Sequence, residues 1–168
     1  MNGKWLRKTA LAGITVLAVC ALVLPLAISA PKAVERPFKS ISDGDIDFAT
    51  YTSIDIGEGT HLGRFVMEGD WDVVNDDPTN PISPASIQSS NLVMTAANGD
   101  ELHFRSVEGR GVTAPDLQWT GMGTGVIEGG TGRFENASGS TAWSAVGYLD
   151  PGEMRIYYTL TITGTLTY

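Results

Sequence analysis

From Met154 to Thr163 the chain alternates. Met154, Ile156, Tyr158, Leu160 and Ile162 fall on one side of an extended backbone, and Arg155, Tyr157, Thr159, Thr161 and Thr163 fall on the other. Successive side chains of a strand point to opposite faces, so this stretch is a strand with one buried and one wet face. Asp150-Pro151-Gly152 supplies a turn before it. The run from Ala137 to Leu149 forms the preceding strand, and the two make a C-terminal hairpin. Elsewhere no window places apolar residues at i, i+3, i+4 and i+7 over three turns, whereas short alternating runs punctuated by Gly, Asn and Asp recur. That is the pattern of an all-β domain.

The other strands follow from the same period. Ser86–Ala96 and Glu101–Val107 flank Ala97-Asn98-Gly99-Asp100, and Asn-Gly accepts the positive φ of a hairpin turn. His61–Val73 places Phe65, Met67 and Trp71 on one side. Tyr51–Ile56 is expected to pair with it through Gly57-Glu58-Gly59. Phe38–Ile41, continuing past Asp43-Gly44 into Ile46 and Phe48, gives the first strand or two, and Leu117–Glu128 gives another. Residues 75–84 contain three prolines and form a loop, because proline cannot serve a central ladder. About eight strands in about 130 residues, joined by short turns, close most simply into an antiparallel up-and-down barrel, which leaves no edge. A β-sandwich is the alternative. Gly121, Gly123 and Gly125 share one face of one strand, where they permit bending or close packing and favour the barrel.

The barrel domain is expected over residues 38–168, behind a linker at 31–37. Ahead of both, Lys4, Arg7 and Lys8 precede an uncharged run from Thr9 to Ala30. This is the pattern of a secretory signal peptide, with Ala27-Ile28-Ser29 offering small residues to a peptidase. The run exceeds the ~7–15 residues of a usual signal core, so an N-terminal membrane anchor is the alternative. The domain is therefore expected to be exported, periplasmic or extracellular, and to touch a membrane only through residues 9–30 if these are retained. Cys20 is the single cysteine. Val19 and the apolar run beyond argue against a lipid-modified cysteine, and with Cys20 removed the exported part can form no disulfide. Without the three leader bases, eight of the eleven basic residues remain against nineteen acidic ones, a net charge of −11. Such a domain repels phosphate backbones, which excludes nucleic acid as a partner.

Gly129-Gly130-Thr131-Gly132-Arg133-Phe134, followed by Ala137 and Gly139, is a glycine-shaped turn between two strands. It resembles the glycine motif of the allene oxide cyclase and dirigent superfamily. Thr60-His61-Leu62-Gly63-Arg64-Phe65 is similar to a run in uncharacterised exported bacterial relatives of that group. The resemblance implies an eight-stranded barrel with an interior cavity, often trimeric, whose plant members cyclise an unstable fatty-acid epoxide or steer phenoxy-radical coupling. The positions carried over, Gly129, Gly130, Gly132, Phe134 and Gly139, shape the turn and include no catalytic group. Ser138 stands where dirigent proteins usually carry an arginine, a departure from that branch.

Few residues offer chemistry. His61 and His103 have no Ser or Cys partner at a motif spacing. His61 is read as a residue at the start of a strand, a candidate for lining the barrel mouth. Asp43, Asp45 and Asp47 alternate, and Asp70, Asp72, Asp76 and Asp77 cluster, yet the glycine and glutamate of a calcium loop are absent; they read as a solvated acidic face with no metal. The glycine-rich segment 121–132 lacks the lysine and helix of a phosphate loop. Asn136-Ala137-Ser138 is a glycosylation sequon by letter. The candidates for lining a ligand cavity are His61, Phe65, Phe104, Trp119, Trp143 and Tyr158. A barrel of this size either fills with side chains or holds one small ligand. The sequence thus leads to an exported barrel with no cofactor and no assigned catalytic residue, a binding or structural module for a small apolar ligand. The alternative is a cyclase or isomerase steering a reactive hydrophobic substrate.

Overall fold

The computed structural model describes residues 34–80 and 82–168. The expected leader, Cys20 and the first residues of the expected linker lie outside them. Eight strands follow in order: β1 Glu35–Asp47, β2 Thr52–Gly59, β3 Gly63–Asn75, β4 Ala85–Ala96, β5 Glu101–Thr113, β6 Gln118–Gly130, β7 Ser138–Asp150 and β8 Arg155–Thr167. Each pairs antiparallel with the next, and β8 returns to β1, closing the barrel. The expected up-and-down barrel is the fold, and the sandwich is excluded. β1 is one continuous strand and takes in Glu35–Pro37, from the segment expected to be linker.

Two readings of the strands change. Gly57, Glu58 and Gly59 are the last residues of β2 rather than a turn; the turn is Thr60–Leu62, and Gly57 opposes Phe65. Met154 belongs to a turn and is 55 % exposed, while Ile156, Tyr158, Leu160 and Ile162 are buried as their alternation requires.

The two ends of the barrel differ. The base holds the turns at residues 60–62, 97–100 and 131–137, the start of β1 and the end of β8. It is closed by the glycine motif. Gly129 and Gly132 have φ of +83° and +56°, and a Cβ on Gly132 would sit 1.9 Å from Asp100 Oδ1. The backbone therefore folds back tightly into a single 3-10 turn, Gly132–Phe134, that aims Phe134 into the barrel. Phe134 is fully buried, and its ring packs edge-on against Tyr168 at 5.2 Å. Thr131 locks the turn, its N–H donating to the Glu101 carbonyl and its hydroxyl accepting from the Glu101 N–H, both at 2.9 Å. The mouth, at the other end, holds the turns at 48–51, 76–84, 114–117 and 151–154.

The axis is filled by aromatic rings seated on glycines. A Cβ on Gly109 would lie 2.3 Å from the Trp143 ring, and one on Gly121 would meet the rings of Trp119 and Trp143. The glycine face of β6 is thus the inner face, and its missing side chains are the space the two indoles occupy.

Candidate functional site

Two features of the barrel interior have chemical character: a polar wedge in the core and an apolar cup at the mouth. The wedge comes from β1 and β2, whose inner faces are polar between Phe38 and Ile46 of β1 and at Ser53 and Asp55 of β2. Ser40 and Ser42 on β1 and Ser53 and Asp55 on β2 are buried, while Ile41, Ile54 and Ile56 point outward and are exposed. Register explains the inversion. Residues opposed across an antiparallel pair share a face, and Asp55 opposes Met67 while Gly57 opposes Phe65, so the inward direction of β3 sets that of β2.

Asp55 is 0 % exposed. Its Oδ1 accepts from the Ser42 hydroxyl at 3.2 Å and its Oδ2 from the Tyr158 hydroxyl at 2.9 Å. Beside it the Trp71 indole N–H donates to Ser53 Oγ at 2.8 Å. Burial pushes the Asp55 carboxyl up to about 7, against the opposing pull of its two hydrogen bonds; Asp45 and Asp43 on the outer face add to the rise. The Tyr158 phenol is likewise raised, first by burial and then by Asp55. The pair is a carboxyl half-protonated near neutrality and a phenol that keeps its proton.

The space next to this pair is small. Phe104, Trp119, Trp143 and Tyr158, four of the sequence candidates, converge on it with Trp71 and Leu160, and leave a cavity of about 30 Å³. That is room for a water or two and no more. Its lining is apolar apart from the Tyr158 and Thr141 hydroxyls, and Thr141 already donates to the Gly125 carbonyl at 3.2 Å.

The larger space is the cup, a cavity of about 410 Å³ opening at the mouth. Ile46, Ile87 and Trp119 form its floor, shared with the core cavity below. Phe48, Tyr51, Val73, Leu117, Leu149 and Met154 stand in its wall. Three of these are unusual. Tyr51, Leu117 and Met154, each from a different turn, hold φ of +56°, +67° and +56°, a conformation that bulky residues avoid. Each turns its carbonyl to a neighbouring hairpin: Tyr51 O accepts from Trp71 N–H at 2.7 Å, Leu117 O from Leu149 N–H at 2.9 Å, and Met154 O from Phe48 N–H at 3.0 Å. The strain is offset by tying the turns of the mouth together, and it sets three large side chains around one opening.

The remaining sequence candidates lie elsewhere. Phe65 is buried in the base half, against Gly57 and Gly59. His61 is in the β2–β3 turn at the base, with φ +70°; its ring N–H donates to the Pro37 carbonyl at 2.9 Å and its edge meets Tyr168. It is remote from the mouth it was expected to line. His103 faces outward and pairs with Glu101 at 2.9 Å. Arg155 pairs with both Asp45 and Asp47, and Asp43 accepts from the Thr159 hydroxyl at 2.6 Å, which makes the alternating aspartates an outer-face network. Among the described residues no group of three or more His, Cys, Asp or Glu is arranged to hold a metal. Sequence reasoning missed Asp55 and most of the cup wall. The visible signal for Asp55 was the small residue Gly57, two positions on, opposite an inward phenylalanine. The cup wall comes from turns, which carry no periodicity.

Comparison with family models, with curated proteins and with solved structures finds no match to this chain.

Proposed function

We propose that the protein is a non-catalytic binding module that takes a small apolar ligand in the cup at the barrel mouth. The observation that carries this is the cup itself: about 410 Å³ of apolar-walled space, within the range of about 300–1,000 Å³ typical of small-ligand sites. The strained Tyr51, Leu117 and Met154 support it, because backbone strain gathers at binding sites more than at plain turns. The likeness of Gly129–Phe134 to the allene oxide cyclase and dirigent group supports a ligand-holding barrel. The leader pattern supports a place of action outside the cytoplasm. Among the described residues no helix is long and apolar enough to cross a membrane.

The cyclase or isomerase reading has one observation in its favour, the Asp55–Tyr158 pair, and one against it. The cavity beside that pair, about 30 Å³, does not admit a hydrophobic substrate. The binding reading therefore stands first. Its test is a titration of the exported domain with short-chain alcohols, followed by fluorescence of Trp119 in the cup floor and by methyl NMR of Leu117, Leu149 and Met154. Saturable shifts confined to these methyls are expected. Shifts spread over the outer face, or none at all, sink the proposal.

A further inference from the structure

The rim of the cup carries a charge that its walls do not. In sequence, the four mouth turns contain Asp76, Asp77, Asp116 and Glu153 and no Lys or Arg, and Asp150 closes β7 beside them. The Lys and Arg of the described residues are placed otherwise. Arg36, Lys39, Arg64, Arg105 and Arg133 belong to the base half of the barrel. Arg110 and Arg155 lie in the mouth half, and both are engaged, Arg110 by Asp76 and Arg155 by Asp45 and Asp47.

The other rim acids have hydrogen-bond donors but, among the described residues, no ion-pair partner. Asp77 accepts from Thr79, Asp116 from the Gln118 N–H, Asp150 from the Gly152 and Glu153 N–H groups, and Glu153 from the Tyr157 hydroxyl. Neutral donors leave a carboxylate its charge. These acids sit in or beside the turns that build the cup wall: Asp116 precedes Leu117, Asp150 follows Leu149 at the end of β7, and Glu153 precedes Met154. Unneutralised like charges beside a low-dielectric opening focus a negative potential on it. At the same rim Tyr51 is half-exposed, with Phe48 edge-on to it at 6.2 Å, and an aromatic face attracts an ammonium.

We propose that the cup takes an amphiphile with a positively charged head, its alkyl or aryl body inside and its ammonium at the acidic rim. This rests on the cup being the ligand site and names the class of ligand it selects. A fatty carboxylate of the same body is repelled by the rim, and a neutral alcohol is bound for its apolar body alone.

The test compares three probes of equal chain length, octyltrimethylammonium, 1-octanol and octanoate, with the methyls of Leu117, Leu149 and Met154 reporting occupancy. At low salt the ammonium is expected to bind about tenfold more tightly than the alcohol, octanoate more weakly than either, and the gaps to narrow as salt screens the rim. Asp116→Asn with Glu153→Gln should weaken the ammonium about threefold to tenfold and leave octanol unchanged. Glu58→Gln with Glu128→Gln removes the same charge from the base half and should leave both unchanged. Octanol or octanoate binding as tightly as the ammonium overturns the ligand class while the cup remains a site. Equal weakening by the base-half pair overturns it too, since the attraction is then only net charge. If no probe moves the cup methyls, the cup reading itself fails and the inference with it.

Discussion

Asp55 occupies a place where apolar neighbours disfavour charge, and its chemistry follows from that. Its folded carboxyl titrates near 7, well above its ordinary value, so between about pH 4 and 7 the folded chain holds a proton that the unfolded chain has lost. The stability this proton contributes is fully present below pH 4 and is lost as pH rises through 7, at up to about 1.4 kcal/mol per pH unit. Asp55→Asn keeps the shape and a hydrogen-bonding amide but cannot ionise. Denaturant unfolding from pH 4 to 8 should therefore show the wild type losing stability relative to Asp55→Asn up to about pH 7, with the difference level above it. A constant difference across this range would mean that Asp55 is ionised throughout. Tyr158→Phe removes one of the two donors that hold the ionised form, so the carboxyl rises further and the same experiment, extended above pH 8, should show the loss continuing to higher pH.

At the level of elements, strands and turns were unequally legible. β8 was written out by its alternation, and β4 with β5 by Asn98-Gly99. β2 was not. Its isoleucines at 54 and 56 alternate as a buried face would, yet they point to solvent, because hydrogen-bond register with β3 outranks the hydrophobicity of one short strand. The mouth turns were opaque for a different reason. A left-handed tyrosine, leucine or methionine has no sequence signature, since it is imposed by the carbonyls that must reach the next hairpin. Met154→Gly tests that imposition. Glycine takes φ +56° without a Cβ clash and the side chain lost is largely exposed, so thermal unfolding should show a change between zero and about 1 kcal/mol of stabilisation. Cup affinity should fall, because a wall is gone. At the base the opposite holds: Phe134 is a fully buried plug, and Phe134→Ala should cost about 3–5 kcal/mol by denaturant unfolding.

For the whole molecule the question is why a closed eight-stranded barrel is solid along its axis and open at one end. The count of strands fixes a radius that side chains can just fill. The glycines of β5 and β6 then admit the two indoles, which block the axis at mid-height. The sequence showed these glycines and tryptophans but not which met which, since that depends on the stagger between strands. If the indoles are what keep the barrel from being hollow, removing one should join the small axial cavity to new space without opening the sheet. Trp143→Ala deletes the ring lying on Gly109 and Gly121, and its indole N–H bond to the Glu108 carbonyl at 3.3 Å. It should destabilise by about 3–5 kcal/mol and leave an apolar hole large enough for an aromatic ring. Indole or benzene added to this variant should then raise its melting temperature in proportion to the logarithm of concentration, and by more than in the wild type, where the cup alone is open to them. A wild type that responds equally would show that the substitution opens no site beyond the cup. A variant that loses its β-sheet circular dichroism would show that the indole holds the barrel closed rather than merely filling it.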